Sequence, residues 1–279
     1  MILQSIQDGW KGFLSFTFVQ SGQHTVVKDK KHFGPLVLQR PYYQEINRPS
    51  VLVIHPPGGI VGGDVLELNI KLKDNSKGLV STPSATKFYR SKGRLAKQIQ
   101  KIEMSSGCEL EWLPQETLFF DQSISENILS FHLNNSNNKL IAWDIVGLGR
   151  PASGEWFDNG ALTQSLELMI EGDLVFVDRL NIDQETLLLQ SKTGLNGCML
   201  SATALFYFDD VQVMQRLKES LQAQDWPLQV GITQMDGLVV LRALGHELDL
   251  VKEVLYEAWK IARPVVLGVP VIKPRIWNT

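Results

Sequence analysis

The chain has 279 residues, of which 44% are hydrophobic and 20% are charged, and its formal net charge is −3. This length and composition support one large core or two small ones and exclude a wholly disordered chain. No apolar run approaches the roughly 20 residues that cross a bilayer, the N-terminus lacks a secretory signal pattern, and two cysteines cannot form a disulfide framework. We therefore expect a cytoplasmic protein that does not use a membrane.

Charge is unevenly distributed along the chain. Residues 1–101 carry 15 Lys and Arg against 6 Asp and Glu, whereas residues 102–279 carry 12 against 24. A basic N-terminal part and an acidic C-terminal part could steer partners or ions toward the protein. Dispersal of both sets over solvated faces explains the counts equally well, so the sequence leaves both interpretations open.

Alternation with a period of two dominates the first 208 residues and predicts strands. In 66–73, Leu66, Leu68, Ile70 and Leu72 fall on one face. A hairpin is predicted around Gly172-Asp173, and 133–139 reads as a polar loop. The other predicted strands are 12–20, 35–39, 50–55, 78–82, 97–104, 128–133 and 139–146.

The C-terminal third has a helical pattern. Apolar residues recur at helical spacing in 209–224 and in 245–263, and Pro264 is expected to end the second helix. Strands are predicted at 228–233 and 237–244. We therefore predict a mainly β fold: an extended, multi-stranded antiparallel or mixed β assembly with two helices in the C-terminal third. One domain, 1–279, would comprise a β-rich part, 1–208, and an α+β part, 209–279.

The stretch HPPGGIVGGD, 55–64, resembles a phosphate-binding loop only superficially. It lacks the Lys and Ser or Thr of a P-loop, and a strand rather than a helix follows it, so a dinucleotide fingerprint also fails. Glycine pairs permit positive φ and close backbone approach, and Asp64 can hydrogen-bond nearby amides. We interpret the stretch as a tight connection between strands, structural or partner-facing, and not catalytic. Its relevant residues are His55, Gly58, Gly59, Gly62, Gly63 and Asp64.

Basic and aromatic residues alternate in TKFYRSKGRLAK, 86–97. Such a pattern occurs in nucleic-acid-binding proteins. The whole chain is acidic and no RNA- or DNA-binding motif accompanies the pattern, so a strand that faces a protein partner is favoured. Lys87 and Arg90 could alternatively pair with acids further along the chain.

Acidic residues cluster in CELEWLPQETLFFD, 108–121. On a strand, Glu109 and Glu111 would share one face, with Glu116 and Asp121 beyond Pro114. Paired carboxylates can perform acid–base chemistry when roughly 5–9.5 Å apart, and carboxylate oxygens can also bind a divalent cation. A solvated face whose acids serve turns is the simpler alternative.

A second polar segment, 143–160, adds Asp144, Arg150, Glu155 and Asp158. Arg150 could form a forked pair with a carboxylate. The sequence has no compact His and Cys spacing of a zinc site and no Gly-x-Ser-x-Gly elbow. These absences argue against zinc chemistry and against a serine hydrolase.

Taken in order, several of these segments resemble the family of the urease accessory protein UreD, called UreH in some organisms. The resemblance runs from near Trp10 to the C-terminus and is weaker between 180 and 262. The segments are GPLVLQRPYY (34–43), HPPGGIVGGD (55–64), TPSATKFYRS (82–91), LEWLPQETLFFD (110–121), DIVGLGRPASGE (144–155) and RPVVLGVPVIKPRIWNT (263–279).

The resemblance implies a role in urease maturation and not an enzymatic reaction. Family members act as scaffolds that bind UreF, which engages the GTPase UreG, and the assembly docks on apo-urease while nickel is incorporated. The implied fold is mostly β. The family is also associated with an internal, water-filled passage for nickel, so no tightly bound cofactor is expected.

Residue chemistry suggests how such a passage could work. Nickel(II) binds His and Cys strongly, whereas oxygen ligands and water hold it more loosely and let it move. Our hypothesis is that Glu111, Glu116, Asp144 and Glu155 line or guard the passage as transient nickel ligands, organised by Arg150. The alternative is that these acids only satisfy turns and buried donors.

Two other functions remain open from the sequence. A β-rich, carbohydrate-active hydrolase would use Glu111 and Glu116, or Asp144, as its carboxylate pair, in an open groove. A plain interaction module without a metal route would bind its partners and tolerate substitution of every central acid.

Overall fold

The computed structural model describes residues 9–183 and 185–278, which contain eighteen strands and two α-helices. The helices are α1 (Val211–Gln222) and α2 (Leu248–Leu267), and short 3₁₀ turns cover Pro151–Ser153 and Arg275–Asn278. The strands are β1 (Lys11–Ser21), β2 (His24–Phe33), β3 (Val37–Leu38), β4 (Tyr42–Glu45), β5 (Arg48–Ile54), β6 (Val65–Leu72), β7 (Lys77–Ser81), β8 (Thr86–Phe88), β9 (Ala96–Met104), β10 (Glu109–Trp112), β11 (Thr117–Phe119), β12 (Ile124–Leu133), β13 (Lys139–Leu148), β14 (Ala161–Ile170), β15 (Asp173–Ile182), β16 (Leu200–Tyr207), β17 (Gln229–Met235) and β18 (Leu238–Gly245).

Two mixed sheets stack on each other. The first sheet has seven strands in the order β15-β14-β12-β9-β6-β1-β2, with parallel pairs in the middle and antiparallel pairs at both ends. The second has eleven, with the path β17-β18-β16-β13-β10-β7-β5-β3 and with β4, β8 and β11 attached. About 49% of the chain is strand and 14% helix, so the predicted mainly β, mixed fold is confirmed.

Parallel strands are joined here without helices. Apart from the short β8 and β11, the chain from β5 to β14 alternates between the two sheets, and each strand from β7 onward pairs with the strand two steps earlier. A parallel pair needs a crossover connection, which is usually a helix. In this fold the strand of the opposite sheet is the crossover. One strand in each sheet thus makes one coil of the chain. Each successive coil adds side chains to the layer between the two sheets.

The space between the sheets is the larger hydrophobic core. Leu66, Leu68, Ile70 and Leu72 are all at most 4% exposed within it, as their alternation predicts. The predicted hairpin is also confirmed as β14–β15, but its turn is Glu171-Gly172, because Asp173 already pairs with Ile170. Both turn residues have positive φ, which matches the twist of a two-residue hairpin.

The two helices cover the outer face of the second sheet. Asp210 caps α1, where its carboxylate accepts the Val213 N–H at 2.9 Å. The prediction that Pro264 ends α2 is wrong: the helix continues to Leu267 and ends at Gly268, with φ +67°. Pro264 removes one backbone donor, but burial of the following turn against the sheet keeps it helical. Neither helix in the described part of the chain is both long and apolar enough to span a membrane.

Candidate functional site

The loop 55–64 joins β5 in the second sheet to β6 in the first. Asp64 is buried and fastens the loop, because its carboxylate accepts the Trp10 N–H at 2.8 Å and the Val61 N–H at 3.0 Å. Gly58 and Gly63 have φ values of +83° and +98°, which side-chain-bearing residues rarely adopt. The aspartate and these glycines thus set the path of the backbone.

The other two glycines of the loop are sites of close approach. A Cβ at Gly59 would lie 2.2 Å from a ring carbon of Tyr89, and one at Gly62 would lie 2.3 Å from the Ser91 carbonyl oxygen. Loop 55–64 therefore packs directly against 89–91. His55 is partly buried, and burial lowers the pKa of its imidazole, against the opposing charge of Asp64.

Lys87 and Arg90 lie in the segment that follows β7. Lys87, on β8, lines a small cavity together with His55, whereas Arg90 is exposed. Within the described residues neither side chain forms an ion pair with a carboxylate. The alternative that the two cations pair with acids further along is therefore not what the fold produces.

Glu111 lies on the face of β10 that is turned toward α2. It is 0% exposed, and its carboxylate accepts hydrogen bonds from Trp259 Nε1 at 2.7 Å and from Arg263 Nε at 3.0 Å and Nη2 at 3.2 Å. Arg48 Nε lies 3.6 Å from the same carboxylate. Two guanidinium groups thus neutralise Glu111, and its role in this arrangement is to fasten α2 to the sheet.

Two neighbouring acids are also paired. Glu109 contacts Arg48, and Lys77 Nζ lies 2.9 Å from its carboxylate. Burial raises the pKa of Glu109, but the charges of Arg48 and Lys77 outweigh this and hold it below its ordinary value. Glu116 lies 2.7 Å from Lys252 Nζ of α2, at a groove that Trp143 and Trp277 also line.

Asp144 lies on the opposite face of the second sheet, turned toward the first. It is 9% exposed and accepts a hydrogen bond from the Gln164 amide of β14. Burial raises the pKa of Asp144 to about 6, opposed by the Gln164 hydrogen bond and assisted by the charge of Asp178. Among the four acids singled out in the sequence, it is the one directed into the space between the sheets.

Glu155 and Arg150 pair with each other beyond the end of β13. Arg150 Nε lies 3.1 Å from the Glu155 carboxylate, which also accepts the Asp121 N–H at 3.1 Å. The Arg150 guanidinium lies 4.6 Å from the centre of the Phe120 ring. Hydrogen bonding to Arg150 lowers the pKa of Glu155. The predicted acids therefore occupy three separate places, and Arg150 contacts only one of them.

The sequence interpretation missed a row of amides in the first sheet. Gln98, Asn127 and Gln164 are register partners on the adjacent parallel strands β9, β12 and β14. They stand at positions that alternation turns toward the second sheet, on the same faces as Leu129 and Leu166. We call these three residues the amide row.

A second polar row faces the first from across the core. Asp144, Thr203 and Arg242 are register partners on β13, β16 and β18 of the second sheet. The two sheets are bridged where Gln164 donates to Asp144, where Thr203 Oγ1 donates to Asp178 at 2.9 Å, and where Arg242 Nε donates to Asp178 at 3.1 Å. Polar groups thus extend from the middle of the core to β15, the edge strand of the first sheet, and to the exposed Arg242 of β18.

Several buried polar atoms near these rows have no hydrogen-bond partner. They are both amide atoms of Asn127, Gln164 Oε1, Ser125 Oγ and Trp112 Nε1. Buried polar groups are normally bonded, and several unsatisfied groups together are typical of a place where ordered water completes the bonding. The sequence did carry a signal for the row, because Gln164 falls on the apolar face of its strand, two residues before Leu166.

No three His, Cys, Asp or Glu side chains in the described ranges come together as a metal-binding group. The oxygen atoms of the two rows are mostly those of neutral amides and a hydroxyl. Asp144 is the carboxylate within the rows, and Asp178 of β15 lies beside them. Such groups bind a divalent transition metal more weakly than a His and Cys cluster.

A family model described as "UreD urease accessory protein" matches residues 11–278. The chain belongs to the UreD family. It is 39% identical to a UreD of Pseudomonas putida over 271 residues, which cover 97% of this chain and 95% of that relative. It is 36% identical to a UreD of Alkalilimnicola ehrlichii over 275 residues (98% and 93%) and 34% identical to one of Citrobacter koseri over 279 (99% and 94%). All three are named urease accessory proteins, so the UreD resemblance noted in the sequence is confirmed.

Proposed function

We propose that this UreD-family chain is a urease maturation factor and not an enzyme. It serves as a scaffold that docks on apo-urease together with UreF and the GTPase UreG and helps deliver nickel to the urease active site. Membership in a family of urease accessory proteins supports the maturation role. The identity of the partners rests on what the family resemblance implies.

The two facing polar rows carry the nickel-delivery part of this proposal. The unpartnered amide groups of the rows, together with the Ser125 hydroxyl and the Trp112 indole nearby, lack hydrogen bonds inside an otherwise apolar core. Water between the sheets would supply those hydrogen bonds. Hydrated nickel moving there would meet Asp144 and neutral oxygen atoms, which attract the ion without holding it tightly. Arg242, the cation of the second row, is paired with Asp178. We therefore locate the passage along the rows, with Asp144 as its principal acid.

The other three acids named as transient nickel ligands have a different place in this proposal. Glu111 and Glu116 are bound by Arg263 and Lys252 of α2, and Glu155 by Arg150. Each carboxylate is thus already neutralised by a cation. We assign these three acids to holding the scaffold in shape, so that substituting them acts on nickel delivery only through the fold.

Coexpression of a urease operon with variants of this chain tests the passage. Asp144→Asn and Asn127→Leu should each lower the nickel content and the activity of urease while the chain still copurifies with its partners. Glu126→Gln, on the same strand as Asn127 but facing outward, is the matched control and should leave loading unchanged. Full nickel loading with both core variants would remove the passage, and unchanged urease activity without the chain would remove the maturation role.

The hydrolase alternative finds no support in the geometry of the acids. A glycosidase pair needs access for a sugar and water, whereas Glu111 is 0% exposed beneath α2 with its oxygens bonded to Trp259 and Arg263. The plain interaction module remains as the competing outcome of the coexpression test. It predicts normal loading with every variant of the two rows.

A further inference from the structure

A small cavity opens between the two sheets beside loop 55–64. Its volume is about 60 Å³. It lies at the inner end of the amide row, because Gln98 belongs to both. The polar side chains of its lining are His55, Thr82, Ser84, Thr86, Lys87, Gln98, Gln100 and Trp112, and its apolar side chains include Leu36, Val53, Leu66 and Leu68.

Several polar side chains around this cavity have no hydrogen-bond partner among the described residues. The Trp112 indole N–H, a group that can only donate, is buried without an acceptor. The side-chain amides of Gln98 and Gln100 bond no other described residue. The backbone N–H of Thr86 donates to the Glu116 carbonyl. The Thr86 hydroxyl forms no hydrogen bond with any other described residue.

The charge of the lining is positive. Lys87 contributes a cation, and among the described lining residues there is no Asp or Glu to neutralise it. A cation such as nickel is therefore disfavoured here, in contrast to the neighbourhood of Asp144.

The volume sets the size of the ligand. About 60 Å³ is less than half of the roughly 150 Å³ of an apolar cavity that holds one benzene molecule. That space accepts an ion of three or four heavy atoms and excludes a nucleotide, a sugar or a phosphate ester. We propose that this cavity is a binding site for a small, singly charged oxyanion of the formate or bicarbonate class, with Lys87 supplying the charge and Trp112, Thr86 and Gln98 supplying neutral donors.

This site lies beside the proposed nickel passage, with which it shares Gln98 and Trp112, and its test does not require urease. Calorimetric titration and ¹³C line broadening with labelled bicarbonate, and in parallel with formate, should show saturable binding to the purified full chain. Chloride at equal ionic strength is the reference for unspecific salt effects. Both probes have the same charge, and saturation by either one identifies the oxyanion class.

Lys87→Gln should weaken oxyanion binding at least tenfold, because a charge-assisted hydrogen bond is lost. Arg90→Gln is the matched control: it removes a nearby exposed cation that does not line the cavity and should change binding less than twofold. Trp112→Phe, which keeps an aromatic ring but removes the indole N–H, should weaken binding severalfold. Far-ultraviolet circular dichroism of each variant verifies the fold.

Three outcomes would overturn the site. The first is the absence of saturable binding by the wild-type chain, which leaves only water in the cavity. The second is equal weakening by Lys87→Gln and Arg90→Gln, which indicates a diffuse surface charge. The third is unchanged binding after both Lys87→Gln and Trp112→Phe in folded protein.

Discussion

Glu111 and Arg263 are 152 positions apart in the chain, yet their side chains share hydrogen bonds in a layer that is 0% exposed at both residues. Arg263 also contacts the Glu45 carboxylate and the Pro270 carbonyl. One guanidinium thus links the second sheet, the β4–β5 hairpin and the segment after α2. The position of the whole C-terminal layer depends on this group.

Glu111→Gln should destabilise the protein by about 3 kcal/mol, because removing one partner of a buried ion pair leaves charge uncompensated. Arg48 and Arg263 would then face each other across a neutral amide. Urea unfolding followed by tryptophan fluorescence measures the loss. Glu126→Gln breaks only the partly exposed pair with Lys97 and should cost less than about 1 kcal/mol; a similar loss in both variants would contradict the assignment.

Asp144→Asn should stabilise the protein at neutral pH by about 1–3 kcal/mol. Burial raises the pKa of this carboxyl from 3.8 to about 6, so the folded state binds the proton more tightly than the unfolded state does. The stabilisation from protonated Asp144 is complete below pH 4 and is lost as the pH rises through 6. The free energy of unfolding of the variant should therefore rise relative to that of wild type between pH 4 and 7, and the two should be equal below pH 4. Denaturant unfolding across that pH range measures the difference. A constant difference at all pH values would refute this.

Asn127→Leu should leave the free energy of unfolding unchanged or raise it. Both amide atoms of Asn127 are buried and unpartnered, and each such group costs about 1–3 kcal/mol relative to a bonded one. Thermal unfolding reads out the change. Outward-facing Ile128→Ala, on the next position of β12, serves as the control and should lower stability. A fall of several kcal/mol on Asn127→Leu would instead indicate that the amide bonds directly to neighbouring protein groups.

Glycine substitutions in loop 55–64 should follow the contacts of each position. Gly62→Ala places a Cβ 2.3 Å from the Ser91 carbonyl oxygen, so the backbone must move, and we expect a loss of more than about 2 kcal/mol. Gly58→Ala meets open space and costs only the positive φ, about 1 kcal/mol. Thermal melts of the two variants, compared with wild type, test this order. Equal losses would mean that close approach does not shape the loop.

Local patterns predicted much of the framework. Alternation located the strands of the central coils, helical spacing located both helices, and the pair Gly172-Asp173 located the β14–β15 hairpin. The C-terminal boundary of α2 was missed because packing of Val266 and Leu267 on the sheet outweighs the proline at 264. The short strands β4, β8 and β11 were missed because three or four residues are too few to establish a period, and the longer β2 and β16 were not predicted either.

The site was harder to predict because it depends on contacts between distant residues. The sequence placed Glu109 and Glu111 correctly on one face but carried no sign that Arg263 would cover them. It grouped Asp144 with Glu111, although the second sheet separates the two. One member of the amide row could be predicted from the sequence, since Gln164 interrupts an apolar face. Only the register of the strands shows that Asn127 and Gln98 lie beside it.

The alternation of the chain between two sheets limits how this interior can change in evolution. Each coil contributes one inward residue to a row, so a single inserted residue in β12 would reverse the facing of every later side chain in that strand. Length variation is thus confined to the bends between strands, or to the gain and loss of entire coils. The chemistry of the interior can evolve only by exchanging one side chain for another.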